Sequence, residues 1–428
     1  MYAILKPQTT VPVCFNTAVA RRDTAIIEKG VGRELRGRLL QMHADSFDRE
    51  NGGLDLPIKF LDQHSVEYSL VQAARHDHNE ERMVRKTLDN ALALIDPVWG
   101  GTYHYSNGHH WDNPHFSKTL SGQATCLHLY SLAYALFHEH HYLYAVKKCL
   151  DYMENFLLDP EGVFYAGQSD SVAGIETDLY FSLADTERRQ YGLPEVNRNI
   201  RIRENGRAIE ALGICYEFTG IKSAWDLAAR VAGWMVDNRY AGNNGIHAHR
   251  LADVLAIGRG MLQLFRISAD PRYLQYAIAM ADLICSRFKG PAGGYNQTIN
   301  PAHHSSAPPQ VDENISTIRY LNLLSHYTGN PEYKSQAAAG FTWLAKPEVA
   351  TTRIEEAGIL LADEELSSNP IRITIAGHRT DPDTQGFIKT AMQLFGWYKV
   401  IHWTDIDMNV CRSGALAANN QSPRLIQP

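Results

Sequence analysis

The stretch ADVLAIGRGMLQLFRISADPRYLQYAIAM, Ala252–Met280, decides the fold. Its first half carries a helical apolar pattern as far as Phe265. A short polar break follows, and Asp270 then stands directly before Pro271. That pair starts a new helix, because the N–H that proline lacks has no partner in the first turn anyway. Beyond it Leu274, Ala277, Ile278, Ala281, Ile284, Cys285 and Phe288 recur at the three- and four-residue spacing of one helix face. The unit is helix, tight turn, helix.

The unit repeats. SVEYSLVQAAR leads into HNEERMVRKTL, ATCLHLYSLAYALF into HHYLYAVKKCL, RAIEALGICYEF into IKSAWDLAARV, and ISTIRYLNLLSHY into NPEYKSQAAAG. Glycine loops separate the pairs: NGGLDLP, WGGTYHY, EGVFYAG, GNNGIHAH and AGGYNQT. The period is roughly 50–80 residues, which marks a repeat architecture with about twelve helices between Gly32 and Leu366. An array of hairpins must hide its end faces, either with polar caps or by closing on itself. The expected fold is all-α: an (α/α)6 toroid of helical hairpins over residues 31–367, with the glycine loops gathered at one mouth. An open superhelix is the alternative. Near the C-terminus, IRITIAGH (Ile371–His378), TQGFIKTAMQLF and WYKVIHW change character and predict a small β-α-β appendage over 368–408. Residues 1–30 are expected to form an extended arm and 409–428 a disordered tail.

Composition narrows the function. Apolar residues make up 44% of the 428, enough for a substantial core. A net charge of −6 argues against nucleic acid, whose phosphates require clustered Lys and Arg. No apolar run reaches the length of about 18 residues that a membrane span needs. The first residues lack the charged-then-apolar order of a signal peptide. Six cysteines are scattered without a C-x-x-C, so buried free thiols in a reducing, cytoplasmic setting are expected.

Several motifs, in order along the chain, carry a resemblance: GGLDLPIKF (Gly52–Phe60), YSNGHHWDNPHFSKTL (Tyr105–Leu120), QSDSVAGIE (Gln168–Glu176), ENG (Glu204–Gly206) and VCR (Val410–Arg412). They resemble the helical domain of the thioredoxin-domain proteins related to spermatogenesis-associated thioredoxin-like proteins. In that family an (α/α)6 barrel, akin to six-hairpin glycosidases and N-acylglucosamine 2-epimerase, follows a thioredoxin-like domain. Here the thioredoxin-like domain is absent, and several of the family's acidic positions are neutral: Ser117, Gly122-Gln123, Gln168 and Arg198-Asn199. The resemblance implies the fold and the site's location more than it implies the chemistry.

Candidate site residues follow. His115 and Lys118 lie where a ring-rich loop enters a helix, so an anionic or polyhydroxyl ligand would meet a helix dipole, an imidazole and a cation. Tyr105 and Trp111 offer stacking faces; the plainer reading is that Trp111 plugs the ring. Asp170 and Glu176 share one mouth loop and suit an acid–base pair, against the ordinary expectation that loop carboxylates cap turns or stay solvated. His249 and Asp253 are four residues apart on one helix face, loosely like the epimerase family's histidine-led inner helix; a capping role is the alternative. Lys59 and Asn314 are further candidates for ligand contact, as are His247, His303 and His304. No metal site and no organic cofactor are implied.

These residues point to a carbohydrate-active enzyme, a sugar hydrolase or an epimerase or isomerase, with general acid–base residues at the mouth of a helical barrel and a small sugar or oligosaccharide as ligand. The alternative is a non-catalytic member that binds a sugar-like ligand or scaffolds a separate thioredoxin-like partner.

Overall fold

A computed structural model describes residues 30–404 except 240–248, 292, 300–306, 352–353, 379 and 397. The expectations for the arm, the tail, His247, His303, His304 and the VCR motif fall outside the described residues.

The ordered helices are α1 (Arg33–Asp45), α2 (Gln63–Ala74), α3 (His78–Ala91), α4 (Leu120–Phe137), α5 (His140–Tyr152), α6 (Thr177–Ser182), α7 (Asp185–Tyr191), α8 (Ile202–Thr219) and α9 (Lys222–Arg239). They continue with α10 (Leu251–Ser268), α11 (Pro271–Arg287), α12 (Val311–Thr328), α13 (Pro331–Leu344), α14 (Pro347–Ala350), α15 (Glu356–Ser367) and α16 (Pro382–Gln393). Six of them form a closed inner ring: α2 packs on α4, α4 on α8, α8 on α10, α10 on α12, α12 on α15, and α15 back on α2. Five carry their outer partner next in sequence, namely α3, α5, α9, α11 and α13. The sixth pair joins the two ends of the barrel, α15 with α1. The Val31 N–H donates to Asp363 at 3.0 Å, and Arg36 pairs with Asp363 at 2.7 Å and with Glu364 at 2.8 Å. The toroid is therefore closed, and the open superhelix is excluded.

Local chemistry sets each hairpin. Asp62, Asp77, Thr119, Asp270 and Asn330 cap their helices by accepting backbone N–H groups, with Pro271 and Pro331 in the first turn. The five inner-to-outer turns each place one residue in the left-handed region: His76, His138, Gly220, Ala269 and Gly329. Helices α8 and α10 approach closely in the ring. A Cβ on Gly206 would lie 2.7 Å from the Ala256 carbonyl carbon, so only glycine lets those backbones meet.

A second device recurs where each glycine loop meets the next inner helix. Gln123, Asn205 and Asn314 each occupy the fourth residue of their helix, α4, α8 and α12. Each side-chain amide brackets one backbone residue of the preceding loop. Gln123 accepts the Thr102 N–H at 2.7 Å and donates to its carbonyl at 2.8 Å. Asn205 does the same to Phe164 at 2.9 and 2.9 Å, and Asn314 to Tyr295 at 2.6 and 2.9 Å. These amides hold loops to helices with both hydrogen-bonding halves satisfied.

Three small sheets sit outside the rods. Strands β1 (Ile58–Lys59), β2 (Tyr105–Asn107) and β3 (Pro114–His115) form one antiparallel set, and β4 (Lys118–Thr119), β5 (Gly167–Gln168) and β6 (Val196–Asn197) another. Beyond the barrel, β7 (Ile371–Ala376) and β8 (Lys399–Thr404) pair in parallel across α16, giving the expected β-α-β unit.

Candidate active site

Each inner helix turns back at its C-terminus into an outer one or leaves the ring, so all six inner N-termini share one end. Their partial positive charges converge on the mouth. Along their inward faces the polar residues fall at helical spacing: Arg203, Arg207, Glu210 and Glu217 on α8, and Arg259, Gln263 and Arg266 on α10. They line a channel divided into two levels.

The upper level is a cavity of about 240 Å³ lined by Asp62, His64, Arg207, Glu210, Arg259 and Glu313, among others. The lower is a chamber of about 80 Å³ that reaches Glu217, Arg266 and Tyr398. Glu210 and Arg259 line both, and their 2.7 Å ion pair forms the partition. Below it Arg319 bridges Glu67 at 2.6 Å and Glu365 at 2.8 Å. Glu217 binds Arg266 at 3.2 Å and Lys399 at 3.1 Å. Lys399 and Tyr398 come from the β-α-β unit, which thus stops the channel at the end opposite the mouth.

The upper cavity is electrostatically uneven. Burial, with Glu356 nearby, pushes Asp62 up to about 6. Burial, helped by Arg319, pushes His64 down to about 3, so its imidazole is neutral at physiological pH. Burial and the adjacent Asp312 raise Glu313. Burial would raise Glu210 too, but the Arg259 guanidinium overrides it and holds Glu210 below the usual range. Arg207 donates to Ser121 at 3.1 Å, Gln63 at 2.8 Å and Thr125 at 2.9 Å, all neutral oxygens, and burial lowers it to about 10. The His64 Nδ1 and the Glu313 Oε2 are buried and find no hydrogen-bond partner among the described residues.

The candidates read from the sequence divide into three groups. Tyr105, His115 and Asp170 do come together on the rim. The Tyr105 and His115 rings stack with centroids 4.9 Å apart, and His115 Nδ1 lies 3.6 Å from Asp170. The Ser117 hydroxyl is 2.8 Å from that same nitrogen. Serine and carboxylate therefore address one edge of the imidazole, which rules out a nucleophile relay in this arrangement, since that requires both ring nitrogens. Asp253 also lies near the mouth; it accepts the Arg203 N–H at 3.2 Å, and burial raises its pKa. His249 is exposed just ahead of α10, and Glu176 precedes α6 without a side-chain capping bond and lines neither level of the channel.

The third group is corrected to structural roles. Lys59 is buried on Asp48 at 2.6 Å and donates to the Leu54 carbonyl at 2.8 Å. Lys118 is likewise buried on Asp96 at 2.7 Å, with Arg188 on the same carboxylate at 2.8 Å. Both lysines hold glycine loops. Trp111 is buried over Gly53 and donates to the Asn51 carbonyl at 2.8 Å, outside the channel lining, so it does not plug the ring. Asn314 is the loop-bracketing amide described above. Residues with chemistry-bearing neighbours stood out in the sequence, yet these four spend their polar atoms on backbone and buried ions.

The sequence reading placed a funnel between the inner helices but missed the charged residues that line it. Their signal was present: arginines and glutamates at three- and four-residue spacing inside helices that are otherwise apolar nearly all round. A helix buried on every side has no reason to carry such a stripe unless the stripe faces a cavity.

No known family's sequence pattern matches the chain, and no curated protein matches it. The thioredoxin-domain resemblance therefore rests on the sequence motifs alone. Solved structures do match in fold. A cellobiose 2-epimerase from Spirochaeta thermophila DSM 6192 aligns with a TM-score of 0.59 at 11% identity, over 78% of this chain and 96% of its own. A D-mannose isomerase aligns at 0.55 and 14%, over 73% and 85%. A sugar epimerase from a ruminal bacterium aligns at 0.55 and 14%, over 72% and 84%. At such identities the likeness establishes a shared all-α toroid.

Proposed function

We propose that the upper cavity is the active site of a carbohydrate-active enzyme, and that it moves a proton next to the carbonyl of a sugar, as an epimerase or isomerase does. The observation that carries this reading is the mixed, unsatisfied polarity of one small cavity. Glu313 Oε2 and a ring nitrogen of the neutral His64 have no hydrogen-bond partner among the described residues, and Arg207 spends its guanidinium on neutral oxygens. A ligand rich in hydroxyls both donates and accepts, so it satisfies such a set where a purely anionic or apolar ligand does not. At about 240 Å³ the cavity falls just below the roughly 300 Å³ where sites for drug-sized ligands begin, a scale suited to one sugar ring.

The roles follow from the charges. Asp62, with its pKa near 6, is poised as general base close to neutral pH. Taking the α-proton leaves negative charge on the carbonyl oxygen. Arg207, the neutral His64 ring and the converging helix N-termini stabilise that charge. Glu313, raised by burial and Asp312, is the matching proton donor. Asp253 and the Tyr105–His115–Asp170 rim contact the ligand as it enters. Four described cysteines are free thiols, which supports a reducing, cytoplasmic location.

The test is to incubate the protein in deuterium oxide with a panel of aldoses and ketoses and follow deuterium at the carbon beside the carbonyl by NMR. Wild type is expected to incorporate deuterium, and Asp62→Asn to lose that activity. Glycosidic cleavage without incorporation would replace this mechanism by hydrolysis. No turnover, together with capture of a thioredoxin-like protein, would favour the scaffold reading.

A further inference from the structure

Beside the funnel cavity, over the β4–β5–β6 sheet, lies a groove of about 1130 Å³, several times the volume of the cavity itself. The two are neighbours across one hydrogen bond: Arg207, which lines the cavity, donates at 3.1 Å to Ser121, which lines the groove. We propose that this groove is an extended subsite for the second and third units of an oligosaccharide whose end ring occupies the funnel. The proposal rests on the sugar reading above.

The groove has a fixed floor. Gln168, buried on β5, accepts from the Tyr152 hydroxyl at 2.9 Å and donates to the Pro194 carbonyl at 3.1 Å. That pair of bonds ties the Leu193–Pro194 wall to the sheet, so the wall is set before a ligand arrives. Leu193 is nevertheless 52% exposed, an apolar side chain standing at the edge of a trough of mixed polar and apolar lining. Sugar rings present C–H faces and hydroxyl edges, and a wall of Leu193 and Val196 beside Arg198 and Arg201 offers a partner to each. A free monosaccharide held in the funnel would leave this whole surface unused.

The experiment measures binding by calorimetry, and turnover by deuterium incorporation, for glucose, cellobiose and cellotriose and for the matching manno- and galacto-series, on wild type and on the surface double variant Leu193→Ala/Arg198→Ala. The expected result is a Kd that falls with chain length in at least one series, by about tenfold from one unit to three. The double variant should cut the ratio of trisaccharide to monosaccharide affinity, and of kcat/KM where there is turnover, by about the same factor. Equal affinity at every length, or a variant that weakens all lengths equally, overturns the groove assignment. Length-dependent binding without turnover of any sugar leaves the groove standing and defeats the epimerase reading. No binding by any member of the panel defeats both.

Discussion

Arg319 is the place to break the channel. Its guanidinium is shared by Glu67 at 2.6 Å and Glu365 at 2.8 Å, and all three side chains are about 11% exposed or less. Burial alone would raise Glu67, yet Arg319 holds it at about 2, against an ordinary value of 4.5. That gap corresponds to about 3 kcal/mol of folding stability at neutral pH. The sign is fixed: a carboxylate with a depressed folded pKa contributes fully above its unfolded value of 4.5, and the contribution is lost as pH falls toward 2. Burial raises Glu365 despite the same cation, so the two carboxylates share one charge unequally. Arg319→Met removes the cation and leaves two buried acids facing each other, at an expected cost of about 3–5 kcal/mol. Urea unfolding followed by circular dichroism at pH 7 and again at pH 4 reads this directly. The deficit should be large at pH 7 and smaller at pH 4, because the stranded carboxylates of the variant take up protons. Adding Glu67→Gln and Glu365→Gln to Arg319→Met should recover most of the loss at pH 7. A single variant costing under about 1 kcal/mol, or a deficit that grows on acidification, would refute the reasoning.

Three further outcomes are expected. Asn314→Ala should destabilise by about 1–3 kcal/mol, by leaving the Tyr295 N–H and carbonyl without their amide, and should leave sugar affinity unchanged in calorimetry. Ala269→Gly should raise stability by up to about 1 kcal/mol in the same denaturation assay, since Ala269 sits at φ +53° in a turn where two equivalent positions already carry glycine. The rate of deuterium incorporation should climb as pH rises through about 6, where Asp62 loses its proton, and steady-state rates between pH 4.5 and 8 would show the inflection.

The hairpins were legible because each rests on a local, repeated signal: apolar spacing, an Asp-Pro start, a glycine loop. The pairing of α1 with α15 was not, since nothing local announces that two segments more than 300 residues apart complete one hairpin. The site was legible only at its rim. Tyr105, His115 and Asp170 are separated by 65 residues in sequence, and the structure brings them together. Lys59, Lys118, Trp111 and Asn314 misled because a motif built to hold a loop uses the same residue types as one built to hold a ligand. Burial decides between those readings, and a sequence does not state burial. Asp62 and His64 drew no notice at the head of an ordinary-looking helix, because their altered acidity arises from burial in the assembled funnel, with Glu356 and Arg319 on other helices adding to it.

The most direct test of the account is a crystal structure with a bound sugar that the protein turns over. The ring should lie inside the funnel, between Asp62, Arg207 and Glu313, with an oxygen within hydrogen-bonding reach of the Arg207 guanidinium. A ring seated instead on the rim, against Tyr105, His115 and Asp170, with the funnel holding only water, would contradict it.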